Sequence, residues 1–216
     1  MIQRVYEQAS LKLDLVVVAT DDTRIETAVK DFGGKVILTS PDHTSGTDRC
    51  SEALDKFETT YNKIVDVVIN IQGDEPFIQP QQIGHLMTCF SDPDTHIATL
   101  AKRIESMQEL NDPNIPKVVL DQNYEALYFS RLPIPYVQNT DKSEWLKEHD
   151  FLKHIGIYAY RKDILLEIAR LKPSSLEKAE SLEQNRWLEN GYRIMVKLTK
   201  LESISIDSPE DLERLT

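Results

Sequence analysis

The sequence predicts an α/β fold in which a mostly parallel, mixed sheet is flanked by helices. Short apolar, β-branched runs alternate with amphipathic helical patterns up to about residue 90, and this alternation is typical of a parallel sheet wound with helices. Beyond that point the predicted strands are less regularly spaced, which indicates a mixed sheet. The 216 residues, of which 40% are hydrophobic, can bury a sizeable core, and we predict one domain over residues 1–216.

Apolar periodicity, helix caps and glycines divide the first half of the chain. Asp21 or Asp22 can cap the second helix, and Gly33 with Gly34 can end it. The predicted elements are a helix from Ile2, a strand over 15–20, a helix over 23–32, a short strand over 35–39, a helix from about Thr47, a strand over 66–71 and a helix from Pro80.

The second half is predicted to contain a hairpin, in which residues 121–123 form the turn. Residues 131–136 form an extended proline segment, and the charged residues 140–150 form a surface loop or short helix. The remaining elements are strands over 97–103, 117–120, 126–129, 154–160 and 193–198, and helices over 161–170, 176–189 and from Ser208.

The strand over residues 66–71 organises the predicted fold. Its β-branched run is typical of a strand buried on both faces, and it stops abruptly at Gln72-Gly73-Asp74-Glu75-Pro76. Gly73 permits a sharp turn and leaves room for a ligand. The carboxyl ends of strands are where open α/β sheets bind ligands, and a carboxylate there can hold Mg²⁺ against a phosphate. A solvated acidic turn is the alternative interpretation of Asp74 and Glu75.

Ser45-Gly46-Thr47 stands at the start of a predicted helix. Free backbone N–H groups there favour an anion or a polar ring, and Gly46 permits close approach. The alternative is a plain N-cap made by Ser45 or Thr47. Asp207 ends a short apolar stretch before a capped helix, where it either flanks the cap or shares divalent cations with Asp74.

His154 and Tyr158 are four residues apart on a predicted strand and therefore share a face. A lone histidine in a strand is more often structural than catalytic. Glu183 and Gln184 are predicted to lie in the middle of a helix, where a solvated face is the ordinary interpretation.

Composition excludes several classes of function. The formal net charge of −11 disfavours nucleic acid and anionic membranes as partners, and no run approaches the ~20 apolar residues of a membrane span. The N-terminus lacks the apolar core of a signal peptide, and Cys50 and Cys89 are too few for a disulfide scaffold. We therefore expect a cytoplasmic protein. Neither dinucleotide nor Walker-type phosphate loops occur, nor the GxSxG and HExxH motifs.

Six motifs in this order resemble the 3-deoxy-manno-octulosonate cytidylyltransferase family, the CMP-Kdo synthetases of lipopolysaccharide assembly. They are QGDEP at 72–76, SGTDR at 45–49, YFSR at 128–131, HIGIYAY at 154–160, LEQ at 182–184 and IDSPEDLE at 206–213. The likeness runs over essentially the whole chain. It implies a Rossmann-like nucleotide-diphospho-sugar transferase fold and a homodimer, with dimerisation and sugar binding around residues 120–175.

The resemblance also implies substrates, a metal and site residues. CTP and Kdo react to give CMP-Kdo and pyrophosphate with Mg²⁺, and Asp74 and Asp207 are implied as the catalytic metal ligands. Nucleotide-binding residues are implied at Ser45, Gly46, Thr47, Gln72 and Gly73. The implied sugar-binding residues are Gln72, Arg131, His154, Tyr158, Glu183 and Gln184.

Two departures from the family pattern affect these expectations. The family begins with a strand and a basic, glycine-containing loop that grips the triphosphate, and the resemblance starts after both. That strand would neighbour residues 15–20 or 66–71, so we expect unpaired backbone there. Asn185 stands where an apolar residue is expected and is predicted to loosen helix packing. Two alternatives remain, a synthetase for a related acidic sugar such as a sialic acid and an inactive, truncated dimer.

Overall fold

A computed structural model describes residues 1–202 and Ile206. The helices are α1 (Ile2–Ser10), α2 (Thr23–Asp31), α3 (Gly46–Tyr61), α4 (Pro80–Cys89), α5 (Met107–Asn111), α6 (Trp145–Glu148), α7 (Lys162–Ile168), α8 (Ser175–Glu180) and α9 (Gln184–Glu189). The strands are β1 (Val18–Thr20), β2 (Val36–Leu38), β3 (Val67–Asn70), β4 (Ile97–Arg103), β5 (Lys117–Leu120), β6 (Ala126–Ser130), β7 (Leu152–Arg161) and β8 (Ile194–Leu198). The predicted helix from Ser208 lies outside the described residues.

The described strands form a two-stranded sheet of β1 and β2 and a six-stranded mixed sheet, and helices flank them. Mixed pairing is as predicted, but most strand pairs are antiparallel rather than parallel. β1 pairs with β2, and β4 with β8, in parallel. β7 is the central strand and runs antiparallel to β3, β4 and β5, while β5 and β6 form the predicted antiparallel hairpin. The regular parallel winding of the first half is therefore limited to β1 and β2, and the long strand β7 joins β3 to the second half of the chain.

Strands β1 and β3 face each other across an apolar gap. β1 has three residues rather than the predicted six, and β3 is only half-buried over its first three residues. Among the described residues, no strand pairs with the remaining edge of either one. Residues 15–19 and 67–71 line the two sides of this β1–β3 gap. The gap lies between the two segments at which we expected unpaired backbone, and it explains the short pairing of β1 and the incomplete burial of β3.

Helices cover both faces of the larger sheet. One apolar cluster includes Trp187, Tyr160 and Leu165 and packs beneath α3, α7 and α9. A second cluster includes Ile83 and Leu86 of α4 together with Ala9 of α1. Apolar side chains therefore alternate between the two faces of β7, which holds both layers in register.

The single helix predicted over 176–189 is wrong, because the chain breaks there into α8 and α9. Ser181 adopts a left-handed conformation (φ 52°) that ends α8, and its N–H donates to the Glu177 carbonyl. Buried Leu182 follows, and Glu183 then occupies the N-cap position of α9. The break moves Glu183 from the predicted middle of a helix to a helix start.

Asn185 does not leave a loosely packed helix, contrary to expectation. Its side chain is fully buried, with 0% exposure, and pairs with the backbone of Phe129 in β6. Nδ2 donates to the Phe129 carbonyl at 2.9 Å, and Oδ1 accepts from the Phe129 N–H at 3.3 Å. This amide fastens α9 to the sheet.

Candidate active site

The start of α3 has the predicted cap. The Ser45 hydroxyl accepts a hydrogen bond from the Asp48 N–H at 3.2 Å, so Ser45 satisfies one of the free donors of the first turn. Asp22 likewise caps α2. The capping role of Ser45 is thus established in the structure, while its contact with a nucleotide base stays a prediction.

Gly46 brings the α3 start against the end of β3. A Cβ at Gly46 would lie 3.1 Å from Gln72 Nε2 and 3.2 Å from Asn70 Nδ2, closer than side chains normally approach. Both amides therefore depend on the absence of a side chain there. Gly46, Gln72 and Gly73, together with His43 and Arg49, line a cavity of about 460 Å³ that opens into the β1–β3 gap.

Asp74 follows β3 in a turn in which the Glu75 N–H donates to the Gln72 carbonyl at 3.3 Å. The Asp74 carbonyl accepts from the Ile206 N–H at 2.8 Å, so the chain returns to this strand end one residue before Asp207. Asp207 itself lies outside the described residues, which contain no cluster of three or more potential metal-binding His, Cys, Asp or Glu side chains. The Asp74–Asp207 metal site stays a prediction, and a carboxylate oxygen at position 74 suits a hard cation.

Glu183 meets the α3 start from a distant part of the chain. Its Oε2 accepts from the Thr47 hydroxyl at 2.8 Å, whereas Oε1 is buried without a hydrogen-bond partner among the described residues. Burial raises the pKa of this carboxyl, and the Thr47 hydrogen bond opposes that rise. The structure therefore joins a predicted base-binding residue to a predicted sugar-binding residue.

His154 and Tyr158 lie together, and Tyr158 is close to Glu183. Their ring centroids are 5.2 Å apart, and Tyr158 packs edge-on against Trp187 at 5.0 Å. His154 Nε2 lies 2.9 Å from the Thr99 hydroxyl, and burial lowers the histidine pKa to about 3. Burial, with the nearby Glu183 carboxyl, raises the pKa of Tyr158 well above its usual value. Both side chains are thus neutral hydrogen-bonding groups near pH 7.

Arg131 is held by main-chain carbonyls. Its guanidinium donates to the carbonyls of Glu180, Pro113 and Ser181 at 2.6, 2.9 and 3.2 Å. The Glu180 carboxylate in turn accepts from the Arg131 N–H at 2.9 Å. These contacts join the end of β6 to the end of α8, so Arg131 has a structural role. Its predicted contact with a sugar stays a prediction.

Gln184, another predicted sugar-binding residue, is buried, with 6% of its surface exposed.

Sequence reasoning missed Tyr160 and Asn70. Tyr160 is fully buried near Thr47 and Asn70, and its hydroxyl makes no hydrogen bond among the described residues. Tyr160 is two residues from Tyr158 and therefore lies on the same face of β7, a periodicity that could have placed it in the site. Asn70 ends β3 and had no comparable pattern to distinguish it.

No helix among the described residues is long and apolar enough to cross a membrane.

A family model described as cytidylyltransferase matches residues 1–198. The chain is 58% identical to the 3-deoxy-manno-octulosonate cytidylyltransferase of Parabacteroides distasonis over 218 residues, which covers 99% of this chain and 85% of that protein. The protein of the same name from Bacteroides thetaiotaomicron is also 58% identical, over 216 residues and with the same coverage.

Solved structures give the same comparison in three dimensions. A CMP:2-keto-3-deoxy-manno-octonic acid synthetase complexed with CTP superposes with a TM-score of 0.88 at 42% identity, and the match covers 99% of this chain and 85% of that one. An inositol-1-phosphate CTP transferase from T. maritima has a TM-score of 0.59 at 17% identity. The second likeness concerns the fold alone.

Proposed function

This chain belongs to the 3-deoxy-manno-octulosonate cytidylyltransferase family, and from that premise we propose how it joins CTP to Kdo to give CMP-Kdo and pyrophosphate. The observation that carries the proposal is the meeting of three segments at one place, since the α3 start contacts both the β3 end and Glu183. Nucleotide and sugar sites built on these segments would adjoin, as a transfer between two bound substrates requires.

In the proposed reaction, the anomeric hydroxyl oxygen of Kdo attacks the α-phosphorus of CTP. A new P–O bond forms, and the bond from the α-phosphorus to the oxygen bridging it to the β-phosphorus breaks. Pyrophosphate leaves with that oxygen, and the hydroxyl proton passes to solvent water. Backbone groups of residues 45–47 hold the cytosine edge, and Gln72 and Gly73 lie beside the nucleotide. Positioning and charge neutralisation, rather than a titrating acid–base pair, supply most of the rate.

On the sugar side, we assign neutral hydrogen bonding to His154 and Tyr158. Their neutrality near pH 7 follows from burial, so they orient hydroxyl groups of Kdo without adding charge. Glu183, Gln184, Gln72 and Arg131 complete the proposed sugar pocket.

Mg²⁺ is proposed as the cofactor, with Asp74 and Asp207 as its protein ligands. When bound, the ion would neutralise phosphate charge in a protein whose own formal charge is −11. The support is the carboxylate at the carboxyl end of β3 and the hydrogen bond that brings Ile206 to Asp74.

We further propose a homodimer that works in the cytoplasm. Large apolar side chains are exposed on β6 and the segment after it, at Leu127 (60%), Leu132 (69%) and Tyr136 (74%). An exposed apolar patch of this kind is typical of an interface, and it lies within the region to which we assign dimerisation. The two cysteines are free thiols, which fits a reducing compartment.

The test is pyrophosphate release from CTP and Kdo with Mg²⁺, alongside parallel reactions in which ATP or GTP replaces CTP and a sialic acid replaces Kdo. We expect turnover with CTP and Kdo only, because residues 45–47 suit a pyrimidine edge and a purine needs more space. Preference for the sialic acid would identify a synthetase for a related sugar. Absence of turnover with every pair would favour the inactive dimer.

A further inference from the structure

Thr47 connects two sites that lie far apart in the sequence. It is the second residue of α3, only 1% exposed, and its hydroxyl donates to Glu183 Oε2 at 2.8 Å across a separation of 136 residues. A hydroxyl has one proton to donate, so in this arrangement the Thr47 donor is directed to Glu183 and is not available to a nucleotide.

The Thr47 hydroxyl restrains the orientation of the Glu183 carboxylate. Glu183 stands at the N-cap position of α9 but makes no side-chain capping bond there. The charge of Asp48 repels it, while Arg186 NH2 lies 3.7 Å from Oε1 and is itself paired with Glu177 at 2.5 Å. Thr47 is therefore a close, direct restraint on the carboxylate, whose Oε1 is buried and makes no hydrogen bond among the described residues.

We propose that Thr47 is a positioning residue that holds Glu183 toward the sugar pocket and thereby couples binding of the pyrimidine nucleotide to binding of the acidic sugar. The proposal rests on the function assigned above. A bound nucleotide that fixes the position of the α3 start also fixes Thr47. Thr47 in turn fixes the orientation of the Glu183 carboxylate, which contacts the sugar. The coupling is reciprocal, since any change in sugar affinity caused by the nucleotide must appear equally in nucleotide affinity.

The experiment compares Thr47→Val, which removes the donor at nearly constant shape, with Thr47→Ser, which keeps it. Calorimetry measures binding of a CTP analogue with a methylene between the α- and β-phosphorus, with and without Kdo, because this analogue cannot release pyrophosphate. In the wild type we expect Kdo to tighten analogue binding by about tenfold. Thr47→Val should lose the tightening by Kdo, whatever its affinity for the analogue alone, and Thr47→Ser should retain it.

A double-mutant cycle tests whether Thr47 acts through the carboxylate. If it does, the loss of coupling in Thr47→Val and in Glu183→Gln should not add in the double variant. Additive losses would contradict the proposal. A lowered melting temperature of Thr47→Val with the tightening by Kdo preserved would also contradict it and leave the hydrogen bond a purely structural role.

The outcome is separable from that of the proposed function. Wild-type pyrophosphate release from CTP and Kdo tests the function, whereas retained coupling in an active Thr47→Val enzyme overturns only the role of Thr47. A wild-type protein that binds the analogue but shows no tightening by Kdo overturns the coupling even when turnover is normal.

Discussion

Burial of His154 makes the stability of this protein fall on mild acidification. The imidazole is enclosed by Thr99, Phe129 and Tyr158, although part of the residue reaches solvent, and its pKa falls from 6.5 to about 3. The unfolded chain therefore takes up a proton below pH 6.5 that the folded chain excludes until about pH 3. The contribution of His154 to the free energy of unfolding is therefore complete above pH 6.5 and is lost as the pH falls from 6.5 toward 3.

The size of the effect follows from the two pKa values. At about 1.4 kcal/mol per pKa unit, acidification from pH 8 to pH 5 should remove about 2 kcal/mol of the free energy of unfolding through this residue alone. That is a substantial fraction of the 5–15 kcal/mol typical of a folded domain, roughly speaking. Other ionisable groups add their own pH dependence, so a comparison of variants is needed to isolate His154.

The assay is urea unfolding at pH 8 and pH 5 for the wild type, His154→Gln and His149→Gln. Glutamine at position 154 can still donate to Thr99 but does not titrate. His149 is an exposed histidine at the end of α6 and supplies the matched control. We expect His154→Gln to lose about 2 kcal/mol less than the wild type on acidification and His149→Gln to follow the wild type. Equal pH dependence in all three proteins would refute the reasoning.

Three further predictions concern the site and its support. Asp74→Asn should abolish pyrophosphate release with an unchanged melting temperature, because the loss of charge weakens Mg²⁺ binding; near-normal rates at saturating Mg²⁺ would exclude the metal role. Gly46→Ala should raise the KM for CTP, since its Cβ would displace the amides of Gln72 and Asn70, and an unchanged KM would show that these amides are not needed. Asn185→Leu should lower the free energy of unfolding by about 3 kcal/mol in urea titrations, because two buried backbone groups lose their partner; unchanged stability would contradict the structural role assigned to this amide.

Local patterns predicted the elements well wherever the determining signal was itself local. Ser45 and Asp22 were correctly identified as possible caps because short polar side chains before a periodic apolar run have a direct physical role. The break between α8 and α9 was missed because Ser181, and not a glycine, adopts the left-handed conformation there. No rule based on glycine and proline alone would mark that position.

Contacts between distant segments were the part that sequence reasoning could not supply. Thr47 and Glu183 were both proposed as site residues, but their hydrogen bond exists only because the fold brings the starts of α3 and α9 together. Asn185 was interpreted as a packing defect because its partner, the Phe129 backbone in β6, is brought to it only by the fold. A buried polar side chain destabilises the fold when it has no hydrogen-bond partner, but it stabilises the fold when, as at Asn185, the partner is present.

The β1–β3 gap has a consequence for how the molecule behaves in solution. The β1–β3 gap is lined by aliphatic side chains and lies between two strand edges that have no strand partner among the described residues. Such edges can form backbone hydrogen bonds with a strand from another molecule. An extended apolar segment from another molecule could add there as a strand, so self-association should increase with protein concentration and with partial unfolding. Val17 lines the β1–β3 gap. The substitution Val17→Lys would place a charge there and should suppress that association.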